Sequence, residues 1–237
     1  MKPILVAVLA ASFAFAGSAL AAPRPAASRP AATDWTQAVA VTPEGGIRMG
    51  NPTAKVRLVE YFSFTCPHCA AFSNAAYGPL EQKYVRSGQV SVELRSALRD
   101  ALDYVAALTS RCATPSAYFG GVEDIMAAQS DWESKAADYI SAHREELNGP
   151  NKSAALGALV KAAGIEAIVA KHGVTPAAIG RCLDDKALQD VLQRTTNDAW
   201  NVRKIGGTPG FLINDVLQTD TFDWAALEPK IQAALKS

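Results

Sequence analysis

Apolar side chains crowd the stretch KVRLVEYFSF, Lys55 to Phe64, where β-branched and aromatic residues follow one another after the turn-forming GNPT. That length and composition predict a buried strand. Directly afterwards, from Cys66 through PHCAAFSNAAYGPLEQKYV, apolar positions recur at helical spacing. Pro67 suits the first helical position, where a missing N–H costs nothing. QVSVELRS, Gln89 to Ser96, then alternates at period two and predicts the next strand.

From about Asp100 to Thr196 the pattern turns alanine-rich and helical, with breaks at Thr114-Pro115, Asn148-Gly149-Pro150 and Gly173 to Pro176. It reads as a block of about four helices. Two short strand candidates follow, Gly210 to Ile213 and Val216 to Thr219, joined by Asn214-Asp215 as the turn. Asp223 can cap a last helix whose inward face carries Trp224, Leu227, Ile231 and Leu235. Pro229 removes a backbone donor beyond the first turn of that helix, so a kink or restart is expected at Glu228. The plan is β-α-β, an all-helical insertion, then β-β-α, an α/β arrangement with helices around one mixed sheet.

Composition adds little except by exclusion. The 237 residues are about half apolar, and their formal charges cancel, so no basic face is offered to a nucleic-acid backbone. The N-terminus says more. MKPILVAVLAASFAFAGSALAAP has one positive charge at Lys2, an apolar run too short for a membrane span of about 20 residues, and small residues at Ala19 and Ala21. Residues 1–22 are therefore expected to be an export signal cut near Ala21 or Ala22, which places the mature chain where disulfides persist. Residues 23–33, rich in Pro and Ala, carry too little apolar surface to repay ordering and read as a leader outside the fold. The remaining division is 34–99 with 197–237 as one domain and 100–196 as the insertion.

The chemistry centres on Cys66 and Cys69, one helical turn apart and so on one face. Cys66 lies at the exposed end of the helix, where unpaired N–H groups and the dipole favour a thiolate, making it the candidate nucleophile and leaving group. An imidazole at His68 can stabilise that thiolate further. A couple whose reduced form is stabilised is a strong oxidant, so the motif argues for donating disulfides, with Cys69 as the resolving thiol. Two other uses stand beside this one. The pair could be half of a zinc site, although Cys112 and Cys182 stand alone with no ligand-like spacing. It could also be a structural bridge, although so small a loop constrains little of the chain.

VEYFSFTCPHC resembles the strand, approach and active centre of the DsbA-like thiol-disulfide oxidoreductases, members of the thioredoxin-fold superfamily from the bacterial periplasm. The resemblance covers the chain from about Asp34. It implies a thioredoxin fold, a central mixed sheet flanked by helices, with the helical segment as an insertion domain. It also implies Cys66 as the attacking cysteine, Pro67 and His68 as its tuners, Cys69 as the buried partner and Glu60 as an acid behind them that assists proton transfer. The apolar neighbours Leu58, Val59, Tyr61 and Phe62 favour burial of Glu60 over an exposed strand position. GGTPGF resembles the family's cis-proline loop, so Thr208 and Pro209 are implied as substrate contacts. Gly210 departs from the pattern, since a larger residue is usual after the proline.

With Cys66 and Cys69 paired to each other, Cys112 and Cys182 are left as a structural disulfide or as two buried thiols; the exported setting favours the disulfide. His143 and His172 read as solvated residues, and Trp132, Trp200, Tyr118 and Phe119 as packing. The expected protein is an exported, periplasmic, monomeric oxidase without cofactor. Its partners are unfolded or partly folded exported polypeptides with free thiols, and a redox partner that restores the disulfide. A reductase or isomerase using the same cysteines is the enzymatic alternative, and a metal-binding or chaperone module the non-enzymatic one. An isomerase would need a dimerisation module, for which residues 34–54 are too few.

Overall fold

The computed structural model describes residues 33–237. The expected signal, 1–22, and nearly all of the leader, 23–33, lie outside the described residues. The centre of the fold is β3, Val56–Phe62, buried along almost its whole length. It runs parallel to β4, Val90–Ser96, and antiparallel to β5, Gly210–Ile213. Six strands form one sheet in the order β1-β2-β4-β3-β5-β6. Its outer members are β1, Val39–Val41, and β2, Ile47–Met49, on one side and β6, Val216–Gln218, on the other. The mixed sheet and its flanking helices are those of a thioredoxin fold.

The β1–β2 pair is absent from the sequence reading. Three residues are too few to show a period, and β2 becomes a strand by pairing antiparallel with β4. The Asn214-Asp215 turn does behave locally: both residues have positive φ, 49° and 68°, as a two-residue hairpin turn demands.

Helix α1, Pro67–Leu80, begins on Pro67 and covers one face of the sheet together with α10, Trp224–Lys236. Asp223 caps α10 by accepting from the Ala226 N–H at 2.8 Å. The expected interruption at Glu228 does not occur, and α10 runs unbroken through Pro229. Pro229 and Ala225, whose carbonyl loses its helical partner, both face solvent, so water can replace the missing bond.

Between β4 and β5 stand eight helices rather than about four: α2, Ala101–Ser110; α3, Pro115–Ala127; α4, Gln129–Ala142; α5, Arg144–Leu147; α6, Lys152–Ala162; α7, Ile165–Ala170; α8, Pro176–Asp184; and α9, Lys186–Asn197. The anticipated breaks are present. Further ones fall at Ala128, at His143, at Gly164 with φ 84°, and at Asp185, which caps α9. Alanine-rich sequence supports a helix on either side of such points without marking them.

Residues at even positions of β3, Val56, Leu58 and Phe62, join a core that continues into the helices through Leu108, Trp132 and Val160. Val59 and Tyr61 face the other way, into a smaller cluster with Ala199, Ile205 and Leu212. Period two thus puts Glu60 on the α1 side.

Candidate active site

β3 ends at Phe62, and a turn over Ser63, Phe64 and Thr65 leads to Cys66, which occupies the cap position of α1 in extended backbone, φ −97° and ψ 116°. Its carbonyl accepts from the N–H groups of Cys69 and Ala70, at 3.0 and 3.2 Å, starting the helix. Cys66 and Cys69 are free thiols here and both are buried.

The two sulfurs differ sharply. Cys66 is brought down to about 5 by a hydrogen bond from the Cys69 thiol, opposed by its burial and helped by Thr208 and the N–H groups of Cys69 and His68. Cys69, fully buried, goes the other way: loss of solvent raises its thiol well above the usual range, and its bond to Cys66 and the nearby Glu60 add to the rise. The bond that Cys69 donates to Cys66, together with the burial of Cys69, sets most of the asymmetry, and the N–H groups at the helix start add to it. The His68 side chain is exposed, and the interaction it contributes to Cys66 comes from its backbone N–H.

Glu60 is 1% exposed and sits behind the pair on β3. Burial pushes its carboxyl up to about 8, so it holds a proton at neutral pH. Tyr77 donates to its Oε2 at 3.0 Å, while Oε1 has no partner among the described residues. Tyr77 was not anticipated, although Cys69, Ser73 and Tyr77 share one helical face by their spacing of four.

Thr208 and Pro209 arrive from 142 residues away. The Thr208-Pro209 bond is cis, and the Cys66 thiol donates to the Thr208 carbonyl at 3.1 Å. A thiolate would lose that bond and keep only the donors named above. Gly210, the departure from the family pattern, now has a reason: a Cβ there would lie 3.0 Å from Ile205 Cβ and 3.1 Å from the Gly207 carbonyl.

The helical insertion also reaches the motif, which sequence reading missed entirely. Asp103 of α2, 1% exposed, accepts from the N–H groups of Phe64 and Arg99 at 2.8 and 3.0 Å. Burial raises Asp103 to about 6, with those bonds and one from Ser63 opposing it. Thr65 donates to Asp100 at 2.6 Å, and Arg99 donates to the Thr65 carbonyl at 3.1 Å. Gln129 of α4 donates to the carbonyls of Phe64 and Cys66, at 2.6 and 3.0 Å. No local signal marks these residues, because their partners in the turn before α1 lie between 34 and 65 residues away.

Cys112 and Cys182 are joined as a disulfide, with Cα atoms 5.8 Å apart, tying the end of α2 to α8. His172 is not solvated as expected; its Nε2 lies 2.9 Å from Asp124 and its side chain is 19% exposed. His143 stacks on Tyr139 at 3.9 Å. Trp132, Tyr118 and Phe119 are core residues, and half-buried Trp200 donates to the Leu98 carbonyl at 3.2 Å. Among the described residues no three His, Cys, Asp or Glu side chains are grouped as metal ligands.

Two buried cysteines one helix turn apart, one at the helix cap and one inside the helix, lie with a buried acid behind them and a cis-proline loop in front, on a thioredoxin fold. The chain belongs to the thioredoxin family, whose model, described as Thioredoxin, matches residues 42–233. A Rickettsia bellii protein named "Putative protein-disulfide oxidoreductase" is 30% identical over 193 residues, 81% of this chain and 66% of its own length. A Rickettsia felis protein of the same name is 29% identical over 79% of this chain and 59% of its own. The chain thus spans between 59% and 66% of those two relatives. Among solved structures, a protein-disulfide isomerase from Novosphingobium aromaticivorans superposes with a TM-score of 0.72 at 34% identity, over 80% of this chain and 97% of that one. Wolbachia pipientis alpha-DsbA1, at 21% identity and a TM-score of 0.62 over 80% and 90% of the two chains, shares the fold.

Proposed function

We propose that the protein is an exported thiol-disulfide oxidase that passes a disulfide from Cys66 and Cys69 to substrate proteins. The observation that carries this reading is the asymmetry of the pair: a Cys66 held near 5 and a Cys69 held high, one turn apart. A depressed Cys66 stabilises the dithiol form, and a stabilised dithiol form makes the disulfide a strong oxidant.

The cycle begins from the Cys66–Cys69 disulfide. A substrate thiolate attacks the Cys66 sulfur, the Cys66–Cys69 bond breaks, and Cys69 leaves and takes up a proton. Glu60, protonated at neutral pH and close enough to influence Cys69, is the nearby acid suited to supply it. A second substrate thiolate then attacks the substrate sulfur of the mixed disulfide, and Cys66 departs as a thiolate. The substrate has lost two electrons and gained a disulfide; the enzyme has gained both. A separate redox partner must then reoxidise the dithiol. Thr208 and Pro209 offer backbone groups to the incoming polypeptide beside Cys66, and Pro67 and His68 are exposed at the helix start. The signal pattern in residues 1–22 supports work outside the cytosol, in the periplasm, where the product disulfide survives.

A second reading, an isomerase using the same centre, is favoured by the description of the Novosphingobium neighbour. Among the described residues before β3, β1 and β2 belong to the sheet of this fold. The reduction potential of the Cys66–Cys69 couple tests the proposal. A value near that of DsbA itself, about −120 mV, supports the oxidase, whereas one near thioredoxin's, about −270 mV, removes it.

A further inference from the structure

Phe64 links β3 to the turn that presents Cys66, and both of its backbone polar groups are taken by side chains of the helical insertion. Its N–H donates to Asp103 Oδ1 at 2.8 Å, and its carbonyl accepts from Gln129 Nε2 at 2.6 Å. The same amide nitrogen donates to the Cys66 carbonyl at 3.0 Å. Since both partners are acceptors, the amide has only one useful orientation, NH2 toward the turn. Gln129 is the first residue of α4 and only 7% exposed, so water competes little for these bonds.

Helix α1 does not need Gln129 to begin. The Cys66 carbonyl already accepts from the Cys69 and Ala70 N–H groups. What the amide adds is a tie between two carbonyls separated by Thr65, which sets the path of the turn and hence the direction in which the Cys66 side chain leaves it. That direction decides how the sulfur meets the His68 and Cys69 N–H groups and Thr208.

We propose that Gln129 is a positioning residue for Cys66: acting from the insertion, it holds the turn in one setting and thereby controls the reactivity of the attacking sulfur and the oxidising strength of the pair. This rests on the reading of Cys66 as that sulfur. It makes α4 part of the redox machinery, although no atom of Gln129 touches a reacting atom. An amide at that position exchanged for a side chain without donors leaves the Phe64 carbonyl short of a partner inside the protein, and the turn is free to shift.

The test uses Gln129→Met and Gln129→Leu in the full chain, two neutral replacements that remove the donors without adding charge near the thiolate. Thiolate absorbance against pH and the redox equilibrium with glutathione are read for each. The expected result is a rise of about one unit in the Cys66 titration, with the matching roughly tenfold shift of the redox equilibrium toward the disulfide. Folded variants that lose stability while Cys66 titrates as in the unaltered protein would overturn the proposal. Failure of both variants to fold would also overturn it, making Gln129 a structural residue. An unaltered protein whose Cys66 titrates like an ordinary thiol would instead remove the reading of Cys66 itself, and this proposal with it.

Discussion

Cys66 and Thr208, 142 residues apart in the chain, meet through a 3.1 Å hydrogen bond from sulfur to carbonyl oxygen. The contact brings the start of α1 and the segment before β5 to one place. It is also a contact that ionisation changes, because a thiolate has no proton to donate to a carbonyl.

Thr208→Val follows from this. The Thr208 side chain is among the groups that lower Cys66, and valine keeps its shape without the hydroxyl. The Cys66 titration should rise by about one unit, the scale of one hydrogen bond to a charged group. Alkylation rate against pH measures it; an unmoved midpoint means the hydroxyl does not serve the thiolate.

Glu60 carries a pH-dependent cost. Its folded carboxyl titrates at about 8 against 4.5 when unfolded, so between those values the native state holds a proton that the unfolded state has released. Stability from this group is therefore fully present at low pH and is lost as pH rises through that window. Glu60→Gln, which retains an acceptor for Tyr77, should gain on the unaltered protein by a few kcal/mol between about pH 5 and about pH 9. Denaturant midpoints of the two proteins across that range decide it, since other titrating groups cancel in the difference.

Gly210→Ala forces a Cβ against Ile205 and the Gly207 carbonyl, neither of which is a flexible side-chain tip. A loss of about 1 to 3 kcal/mol is expected for overpacking of this kind. Because the strain falls next to Pro209, a weaker Thr208–Cys66 contact and slower substrate oxidation should accompany it. Wild-type stability and turnover in this variant would show that the loop has room to adjust.

Removing the second disulfide, by Cys112→Ala with Cys182→Ala, opens a loop spanning a sequence separation of 70. In the chain-entropy picture that loses about 4 kcal/mol. The denaturant midpoint should fall accordingly. Since neither cysteine of the bridge is among the groups that set Cys66, the Cys66 titration should stay where it is.

Much of the site was legible where its physics is local. Cys66 at a helix start, Pro67 behind it and Cys69 one turn on follow from spacing alone, as do the Asn214-Asp215 turn and the Asp223 cap. The burial of Glu60 follows from the apolar run around it. Where the reading went wrong, distant or solvent contacts had the deciding role: β2 exists because β4 pairs with it, and α10 continues through Pro229 because the freed carbonyl faces water. His172, in the turn after α7, is half-buried rather than solvated because Asp124 of α3 was within reach.

The sequence by itself determined the chemistry available: two thiols on one helical face, one at the end where unpaired N–H groups favour a thiolate and one a turn inside. That is so because helix geometry fixes neighbours within a few residues. Only the tertiary structure decided what surrounds them, namely Thr208 in front, Glu60 and Tyr77 behind, and Asp103 and Gln129 holding the turn from the insertion. Those contacts join positions as far as 142 residues apart, and their existence depends on how the whole chain packs rather than on any repeat or spacing within it.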